Sequence, residues 1–447
     1  MGDARPLRSW RLAAYASPAL PLAALTLPVY ILLPTFYARD LGLGLSTVGA
    51  ILLLARLWDV VVDPAIGVLS DRLATRWGRR RPWVVAGLPL TMAAIWFLFV
   101  PGQGAGGAHL LAWSLALHLG WTLMILPMYA LGAELSGDYH QRSRIAGFRE
   151  GAVLLGTVVA IGLPALAGLG DQPAAALRLL ALLLVVLLPL TVLLFVLAVR
   201  EPPGTPGTPT AGAPGLRRGL RLMAGNAPFR RLIAAYLLNG FANSLPATVF
   251  LLFVDSILHA PGSAGPLLLL YFGVGVCAIP LWLFVARHVD KHRVWCGAML
   301  ANCAVFLWVP LLGPGDLPVF TAIVVLSGLA LGADLVLPPS MQADVVDVDR
   351  VESGQQRTGL FFALWSMATK LALAAAVGAA FPILEAAGYD AAAPDGTGDL
   401  ALALLYGTVP VAFKLAAVAL MWRYPLTRRH QAEIRDRIEA AAAGSPS

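Results

Sequence analysis

Long apolar runs recur along nearly the whole 447-residue chain and constrain its fold more than any other feature. The chain is 58% hydrophobic and 13% charged, whereas soluble domains carry about 25% charged residues. A helix needs roughly 20 apolar residues to cross a bilayer. We therefore predict twelve transmembrane helices, at residues 12–37, 46–70, 83–101, 108–133, 148–170, 174–199, 229–257, 264–286, 293–312, 317–340, 358–387 and 399–424.

The longest polar break between these runs divides the chain into two six-helix halves. Its run Pro202-Pro-Gly-Thr-Pro-Gly-Thr-Pro209 is typical of a flexible linker, because it cannot form a helix or a sheet. The predicted fold class is an all-α polytopic membrane protein with twelve transmembrane helices in two six-helix halves. Its predicted parts are an N-terminal half, a cytoplasmic linker, a C-terminal half and a cytoplasmic tail, at 1–199, 200–228, 229–424 and 425–447.

The positions of the basic residues predict the orientation. Of 32 Lys and Arg residues, 27 lie in or beside the termini and the loops after even-numbered helices. The opposite loops hold only Arg39 and Arg178, and Arg56, Lys370 and Lys414 lie within spans. Basic residues collect on the cytoplasmic side. We therefore expect both termini in the cytoplasm, a location in a bacterial inner (plasma) membrane, and no nucleic-acid partner despite the net charge of +7.

The second predicted helix carries charge inside an apolar segment. Arg56, Asp59 and Asp63 share one helix face because of their spacing. Each charge costs about 2.5–3.5 kcal/mol at the centre of a bilayer on insertion scales. A cation bound between the two carboxylates would compensate them, and a structural ion pair with Arg56 or Lys370 is the alternative.

The loops after helices 2 and 8 resemble each other. Gly67-Val-Leu-Ser-Asp-Arg72 is followed by Gly78-Arg-Arg80, and the equivalent loop contains Arg287-His-Val-Asp-Lys-His-Arg293. A two-fold internal repeat is typical of transporters in which one half rocks against the other.

These motifs resemble those of a known family. The pattern after helix 2 is similar to a signature of the major facilitator superfamily. The runs Arg56-Leu-Trp-Asp-Val-Val-Val-Asp-Pro-Ala-Ile-Gly67 and Trp77-Gly-Arg-Arg-Arg-Pro-Trp83 resemble the glycoside–pentoside–hexuronide:cation symporters. Ala343-Asp-Val-Val-Asp347 and Lys370 in the second half agree with this. The resemblance covers essentially the whole chain and implies the major facilitator fold and cation symport.

The resemblance also implies a cation site. It would consist of Asp59 and Asp63 on helix 2 and the hydroxyl of Thr122 on helix 4, with the two aspartates as metal ligands if the ion is Na⁺. A threonine that bonds its own backbone is the alternative for Thr122. Val62 replaces an asparagine found in a sugar-transporting member, so H⁺ stays open beside Na⁺. We expect no cofactor other than this coupling ion.

Two basic residues are expected to serve coupling and pairing between the halves. The resemblance places Lys370 of helix 11 near the cation site, where it could replace the cation's charge in the empty state. A static salt bridge is the alternative for Lys370. Arg56 is the other basic residue that we expect to serve coupling and pairing between the halves.

The implied substrate pocket departs from that of the family's sugar permeases. Ala23 and Ile125 stand where those proteins have aspartates, and Tyr129 replaces a tryptophan. Arg149 remains, and Ser366 replaces a threonine. A glycoside, sugar or sugar acid is the expected substrate. An amphiphile such as a lysophospholipid is the alternative, which the apolar Ala23 and Ile125 favour.

Two further predictions concern charged residues. Asp334 interrupts helix 10 and is expected to face the cavity and bind substrate, because a carboxylate there is costly. Asp71, Arg72, Arg79 and Arg80 resemble the superfamily's cytoplasmic gate latch. The remote alternative to a transporter is a membrane-embedded enzyme or sensor. The sequence contains no nucleophile–base pair or metal-ligand motif, so we predict a non-enzyme that acts as a monomer on a small-molecule substrate in the bilayer.

Overall fold

The computed structural model describes residues 7–26, 28–73, 75–169, 172–201, 225–260, 262–353, 357–389 and 398–443. These residues are almost entirely helical. The α-helices are α1 (Ser9–Ala16), α2 (Ala19–Ala24), α3 (Leu33–Thr35), α4 (Leu45–Arg72), α5 (Arg81–Phe99), α6 (Gly107–Glu134), α7 (Tyr139–Leu166), α8 (Pro173–Ala198), α9 (Ala227–Leu252), α10 (Ala264–His288), α11 (Lys291–Phe306), α12 (Leu317–Ser353), α13 (Thr358–Ala386), α14 (Asp399–Tyr406), α15 (Thr408–Met421) and α16 (Arg428–Ala443).

Prolines divide the first predicted helix into short pieces. Pro18 separates α1 from α2, Pro28 begins a π-helical turn at Pro28–Leu32, and Pro34 lies in the three-residue α3. A proline inside a helix removes a backbone hydrogen bond and clashes with the preceding turn. Wider turns accommodate such interruptions. The predicted span 12–37 is therefore helical but not one continuous α-helix.

The number and length of the helices fit a membrane protein. Among the described residues, eleven segments are long and apolar enough to cross a membrane. Helix α4 lies at the place of the second predicted span, and its 28 residues make it about 42 Å long at 1.5 Å per residue. The chain is an all-α polytopic membrane protein, as the sequence predicts.

Helix α12 extends well beyond its predicted end at residue 340. It continues to Ser353 through the polar run that contains Asp344 and Asp347. Both carboxylates have partners, since Lys291 Nζ donates to Asp344 at 2.7 Å and the Gln431 amide donates to Asp347 at 2.9 Å. The predicted end was wrong because hydropathy ends before the helix does.

The chain forms two compact units. Unit 1 consists of Met1–Gly219 and Glu352–Leu364, and unit 2 of Leu220–Val351 and Trp365–Ser447. The predicted linker at 200–228 lies largely outside the described residues, and the predicted domain boundaries stay predictions. The core of unit 2 is rich in aromatic rings, with Phe253 and Tyr406 stacked at 4.5 Å between ring centroids.

Small residues bring α5 and α6 of unit 1 close together. A Cβ added at Gly87 would lie 2.8 Å from the Gly120 carbonyl oxygen, and one added at Gly120 would lie 2.5 Å from Thr91 Oγ1. Helices in membranes pack most closely where such residues meet. This contact helps to fix the position of α6, which carries Thr122 two residues beyond Gly120.

Candidate functional site

Helices α4 and α6 of unit 1 bring Asp59, Asp63 and Thr122 together. The Thr122 hydroxyl lies 2.9 Å from Asp63 Oδ1 and 3.2 Å from Asp59 Oδ1. All three side chains are buried, with no more than 4% exposed. Asp59 and Asp63 are one turn apart on α4, and α6 supplies the hydroxyl from 59 residues further along the chain. Two carboxylates and a hydroxyl therefore converge in a membrane-spanning part of the chain.

A fourth side chain adjoins this group. His118 lies one turn before Thr122 on the same face of α6, and its Nδ1 is 3.4 Å from Asp59 Oδ2. The ring is buried at 6% exposure. No functional role was predicted for His118, although its spacing of four residues from Thr122 indicates a shared face.

The donor set suits a hard cation or a proton. Carboxylate and hydroxyl oxygens are the ligands that hard cations prefer, and a buried carboxylate can take a proton instead. No group of three or more His, Cys, Asp or Glu side chains that could hold a metal ion occurs within the described ranges. Because its donors are hard oxygen atoms, the Asp59, Asp63 and Thr122 cluster fits a hard cation or a proton better than a soft transition metal.

The predicted coupling residues lie in different units. The Arg56 guanidinium lies over the ring of Tyr30 in unit 1, 4.1 Å from its centroid. The half-buried Lys370 lies on α13 in unit 2. Its pairing with the aspartates of α4 stays a prediction.

Two residues of the predicted substrate pocket, Arg149 and Tyr129, contact each other. The buried Arg149 guanidinium lies 3.8 Å from the centroid of the Tyr129 ring. It also donates to Glu150 Oε1 at 2.6 and 2.8 Å. The Tyr129 ring meets Phe362 edge to face at 6.2 Å. All four residues belong to unit 1.

The other predicted pocket residues are distributed over both units. Ala23 on α2 is buried beside α7, where a Cβ at Gly156 would lie 3.2 Å from the Ala23 Cβ. Ile125 on α6 is half-buried. Ser366 on α13 is half-buried and belongs to unit 2. A common pocket for Ala23, Ile125 and Ser366 stays a prediction.

Asp334 is at the centre of a polar network inside unit 2. It accepts hydrogen bonds from Trp295 Nε1 at 2.7 Å, Asn243 Nδ2 at 3.0 Å and Lys414 Nζ at 3.3 Å. Lys414 Nζ also donates to Asn239 Oδ1 at 2.7 Å. Five side chains from α9, α11, α12 and α15 thus satisfy one another. The sequence interpretation placed Lys414 within a span but gave it no role.

The predicted latch is centred on Arg80, whose side chain is fully buried. Its Nη2 donates to Asp71 Oδ1 at 2.6 Å and to Glu134 Oε1 at 2.7 Å, and its Nη1 donates to Ser70 Oγ at 2.9 Å. Burial by itself lowers the pKa of Arg80, but the carboxylates of Glu134 and Asp71 outweigh this and raise it. Arg80 is therefore a permanent positive charge between two acids.

Asp71 also binds the first turn of α13. It accepts hydrogen bonds from the backbone N–H groups of Gly359 at 2.8 Å and Leu360 at 3.1 Å. This turn belongs to unit 1. A carboxylate at a helix N-terminus is stabilised by unsatisfied N–H groups and the helix dipole. Asp71 thus joins the end of α4 to the beginning of α13, and its role as a latch stays a prediction.

Glu201 is a further acid in this region. Its carboxylate accepts the backbone N–H groups of Arg79 at 2.5 Å, Arg80 at 2.8 Å and Arg81 at 2.5 Å, where α5 begins. Gly78 has φ +110°, and a Cβ there would lie 2.5 Å from Glu201 Oε2. Only glycine provides this conformation and this space.

Three of the four residues predicted to form the latch are joined by ionic contacts. Asp71, Arg79 and Arg80 lie in one ionic cluster, since Arg79 Nη2 also donates to Glu134 at 2.9 Å. Arg72 lies exposed at the end of α4. Neither Glu134 nor Glu201 was predicted to belong to this cluster, although Glu134 directly follows a predicted span and Glu201 lies two residues beyond the end of another.

Comparisons with known proteins agree with an all-α polytopic membrane protein. A family model described as MFS/sugar transport protein matches residues 14–428. An uncharacterized symporter of Synechocystis sp. is 24% identical, over 93% of this chain and 94% of that protein. The glucuronide carrier protein homolog of Escherichia coli is 26% identical, over 90% of each chain. The mouse sodium-dependent lysophosphatidylcholine symporter 1 is 25% identical, over 87% of this chain and 80% of that protein.

A solved structure shows the same fold. The outward conformation of a Major Facilitator Superfamily transporter, FucP, has a TM-score of 0.66 to this chain, with 14% sequence identity. The likeness covers 92% of this chain and 99% of that structure. The overall helix arrangement is therefore that of this superfamily.

Proposed function

Because the chain belongs to the MFS/sugar transport protein family, we propose that it is a secondary active transporter that moves a small organic solute together with a cation. The observation that carries the proposal is the convergence of Asp59, Asp63 and Thr122 in the membrane-spanning part of unit 1. Buried carboxylates at this depth are costly unless a cation or a proton neutralises them. Cation binding thereby becomes a condition for the movement of the site.

The cation supplies the driving force. A membrane potential contributes about 2.3 kcal/mol per charge per 100 mV, and about 1.4 kcal/mol corresponds to tenfold in concentration. One coupled cation therefore supports on the order of 50-fold accumulation of the solute. In the proposed cycle the cation binds between Asp59 and Asp63 and compensates one of their two negative charges, substrate then binds, and alternating access releases both on the other side.

A glycoside, sugar or sugar acid is the proposed substrate. A relative is named as a glucuronide carrier homolog, and Arg149 with the Tyr129 ring provides a cationic donor beside an aromatic face. Arginine suits a carboxylate because of its planar donors, and since Nε and Nη2 of Arg149 already donate to Glu150, a substrate carboxylate would use Nη1 or displace Glu150. An aromatic face suits the apolar side of a sugar ring.

A lysophospholipid or similar amphiphile is the second candidate. It is favoured by the apolar Ala23 and Ile125, since an apolar pocket gains nothing from sugar hydroxyls. Relatives named as sodium-dependent lysophosphatidylcholine symporters also match over most of the chain. Thermal stabilisation of the purified protein by sugars, sugar acids and lysolipids distinguishes the two classes, because a ligand stabilises the state that binds it.

Uptake into proteoliposomes tests the coupling. We expect solute to accumulate under an imposed inward Na⁺ or H⁺ gradient and not without one. Asp59→Asn and Asp63→Asn should each abolish accumulation, whereas Asp436→Asn, at an exposed position of α16, should not. Accumulation that persists in either α4 variant would remove that residue from the cation site. No gradient-driven uptake of any solute by correctly inserted protein would overturn symport.

The remaining properties follow from the same proposal. The protein acts as a monomer in a bacterial inner membrane, with both termini in the cytoplasm and no organic cofactor. Cysteines introduced at Arg8 and Arg437, both exposed, should be protected from an impermeant thiol reagent in intact cells. They should react once the membrane is permeabilised and the reagent reaches the cytoplasmic face. Labelling in intact cells would show that the termini lie on the opposite side of the membrane.

A further inference from the structure

A cleft of about 270 Å³ opens in unit 1. It lies where α1 begins, where α6 ends and where α8 ends. Its walls include Leu7, Trp10, Arg11, Leu135, Leu197 and Arg200. The distribution of basic residues places these helix ends at the cytoplasmic side of the membrane. Neither Asp59, Asp63 and Thr122 nor the Arg80 cluster lines this cleft.

The charge of the cleft is one-sided. Among the described residues, its walls contain two arginines, Arg11 and Arg200, and no acidic side chain. A third arginine adjoins them, since Arg144 donates to the Leu7 carbonyl at 3.4 Å. The Arg11 guanidinium lies 5.5 Å from the centroid of the Trp10 ring. This arrangement complements an anion with one or two negative charges.

The cleft continues into an apolar surface. Leu190, Leu193 and Leu197 of α8 share one helix face and are 57%, 55% and 73% exposed. In a membrane this face contacts acyl chains. Trp10, which is 51% exposed, is of the type that concentrates at the interface between acyl chains and headgroups. The cleft therefore offers cationic groups at headgroup depth and an apolar path at acyl-chain depth.

We propose that this cleft binds an anionic phospholipid of the cytoplasmic leaflet. Its phosphodiester lies between Arg11 and Arg200, and one acyl chain follows the leucines of α8. Basic pockets between transmembrane helices on the cytoplasmic side are a known mode of headgroup recognition. A free phosphate would use the arginines alone, whereas a phospholipid uses the whole surface.

A bound lipid also joins the cleft to the latch. Arg200 directly precedes Glu201, whose carboxylate holds the backbone of Arg79, Arg80 and Arg81. A headgroup that fixes Arg200 limits the movement of Glu201 and hence of the loop before α5. Lipid composition thereby acts on the same region that the latch occupies.

Native mass spectrometry of the purified full chain tests the proposal. With phosphatidylglycerol, phosphatidylcholine and inorganic phosphate as probes, we expect phosphatidylglycerol to bind about tenfold more tightly than phosphatidylcholine. The double variant Arg11→Gln/Arg200→Gln should lose this preference. Arg429→Gln/Arg437→Gln, which removes the same charge from exposed positions of α16, should keep it. An unchanged preference in the first variant, or millimolar phosphate that displaces the lipid completely, would overturn the proposal.

A second measurement needs no variant. A photoactivatable phosphatidylglycerol should crosslink unaltered protein at residues 7–12 and 197–200, and excess phosphatidylglycerol should reduce this labelling at least fivefold. Crosslinks distributed evenly over the membrane surface would show that the cleft has no preference for the lipid.

Discussion

The hydroxyl of Thr122 lies 2.9 Å from Oδ1 of Asp63, and the same hydroxyl lies 3.2 Å from Oδ1 of Asp59. One side chain of α6 thus connects two carboxylates of α4. Because a hydroxyl has a single proton, it can donate to one carboxylate at a time and offers its lone pairs to a cation. The geometry places the Thr122 oxygen between the two acids, where it could serve the proposed cation as a further ligand.

The first prediction concerns this hydroxyl. Thr122→Val keeps the shape of the side chain and removes its oxygen, whereas Thr122→Ser keeps the oxygen. A hydrogen bond to a charged group is worth about 1.5–3 kcal/mol, which is on the order of tenfold to 100-fold in affinity. We expect the cation concentration for half-maximal uptake to rise at least tenfold in the valine variant and little in the serine variant. Equal half-maximal concentrations in all three proteins would show that Thr122 does not bind the cation.

The second prediction concerns the buried Arg80. Arg80→Gln leaves the carboxylates of Asp71 and Glu134 without the cation between them. Breaking a buried ion pair from one side typically costs about 3–5 kcal/mol. We therefore expect a clear fall in the free energy of unfolding and in the melting temperature of the purified protein. Arg80→Lys should recover only part of the lost free energy of unfolding, because lysine lacks the planar fork of donors.

The matched control for this variant lies in the same loop. Arg76 is exposed and lies beside the Trp77 ring, 5.9 Å from its centroid. Arg76→Gln removes the same charge and should change the free energy of unfolding by less than about 0.5 kcal/mol, as for most surface substitutions. If Arg76→Gln and Arg80→Gln had equal effects, the loss would reflect net charge and not the buried contacts.

The third prediction concerns Glu201 and the beginning of α5. Its carboxylate accepts three backbone N–H groups, and Glu201→Gln removes the charge and halves the number of acceptor oxygens. Charge near a helix N-terminus contributes about 0.3–1 kcal/mol when exposed, and up to about 2 kcal/mol in partly buried sites. We expect hydrogen exchange of the amides of Arg79, Arg80 and Arg81 to accelerate roughly fivefold to 30-fold. Exchange should not change in Glu433→Gln, at an exposed position of α16, and unchanged exchange in Glu201→Gln would refute the contact.

Local residue spacing explains which parts of this site can be predicted from the sequence. Asp59 and Asp63 are four residues apart, so any helix there places them on one face, and the prediction needs no tertiary information. Thr122 was predicted to bind the cation only from a family resemblance, because no local sequence pattern links α6 to α4. The His118 ring shares that face, yet a histidine in an apolar helix has no spacing that identifies its partner. Its contact with Asp59 depends on how the two helices pack.

The fold also has features that the sequence predicts and features that depend on tertiary contacts. Hydropathy predicts where the chain crosses the membrane, since about 20 apolar residues are needed. It does not predict that α12 continues to Ser353, because the polar turns there are stabilised by Lys291 and Gln431 from distant segments. Lys414 illustrates the limit most clearly. A lysine within a span must find partners, but only the packed helices identify Asn239 and Asp334 as those partners.

The last prediction tests that network in unit 2. Lys414 Nζ lies 3.3 Å from Asp334 Oδ2, and both side chains are nearly inaccessible to solvent, at 2% and 9% exposed. Asp334→Asn leaves the buried Lys414 without a negative partner. Lys414→Met leaves the buried Asp334 carboxylate without a positive partner. Each single variant should lower the free energy of unfolding by about 3–5 kcal/mol. The double variant should lose less than the sum of the two, with an interaction energy of about 0.5–3 kcal/mol, because no unpaired charge remains. Denaturant unfolding of all four proteins in detergent measures this cycle. Strictly additive effects would mean that Asp334 and Lys414 act independently, and that Trp295, Asn239 and Asn243 are sufficient to satisfy them separately.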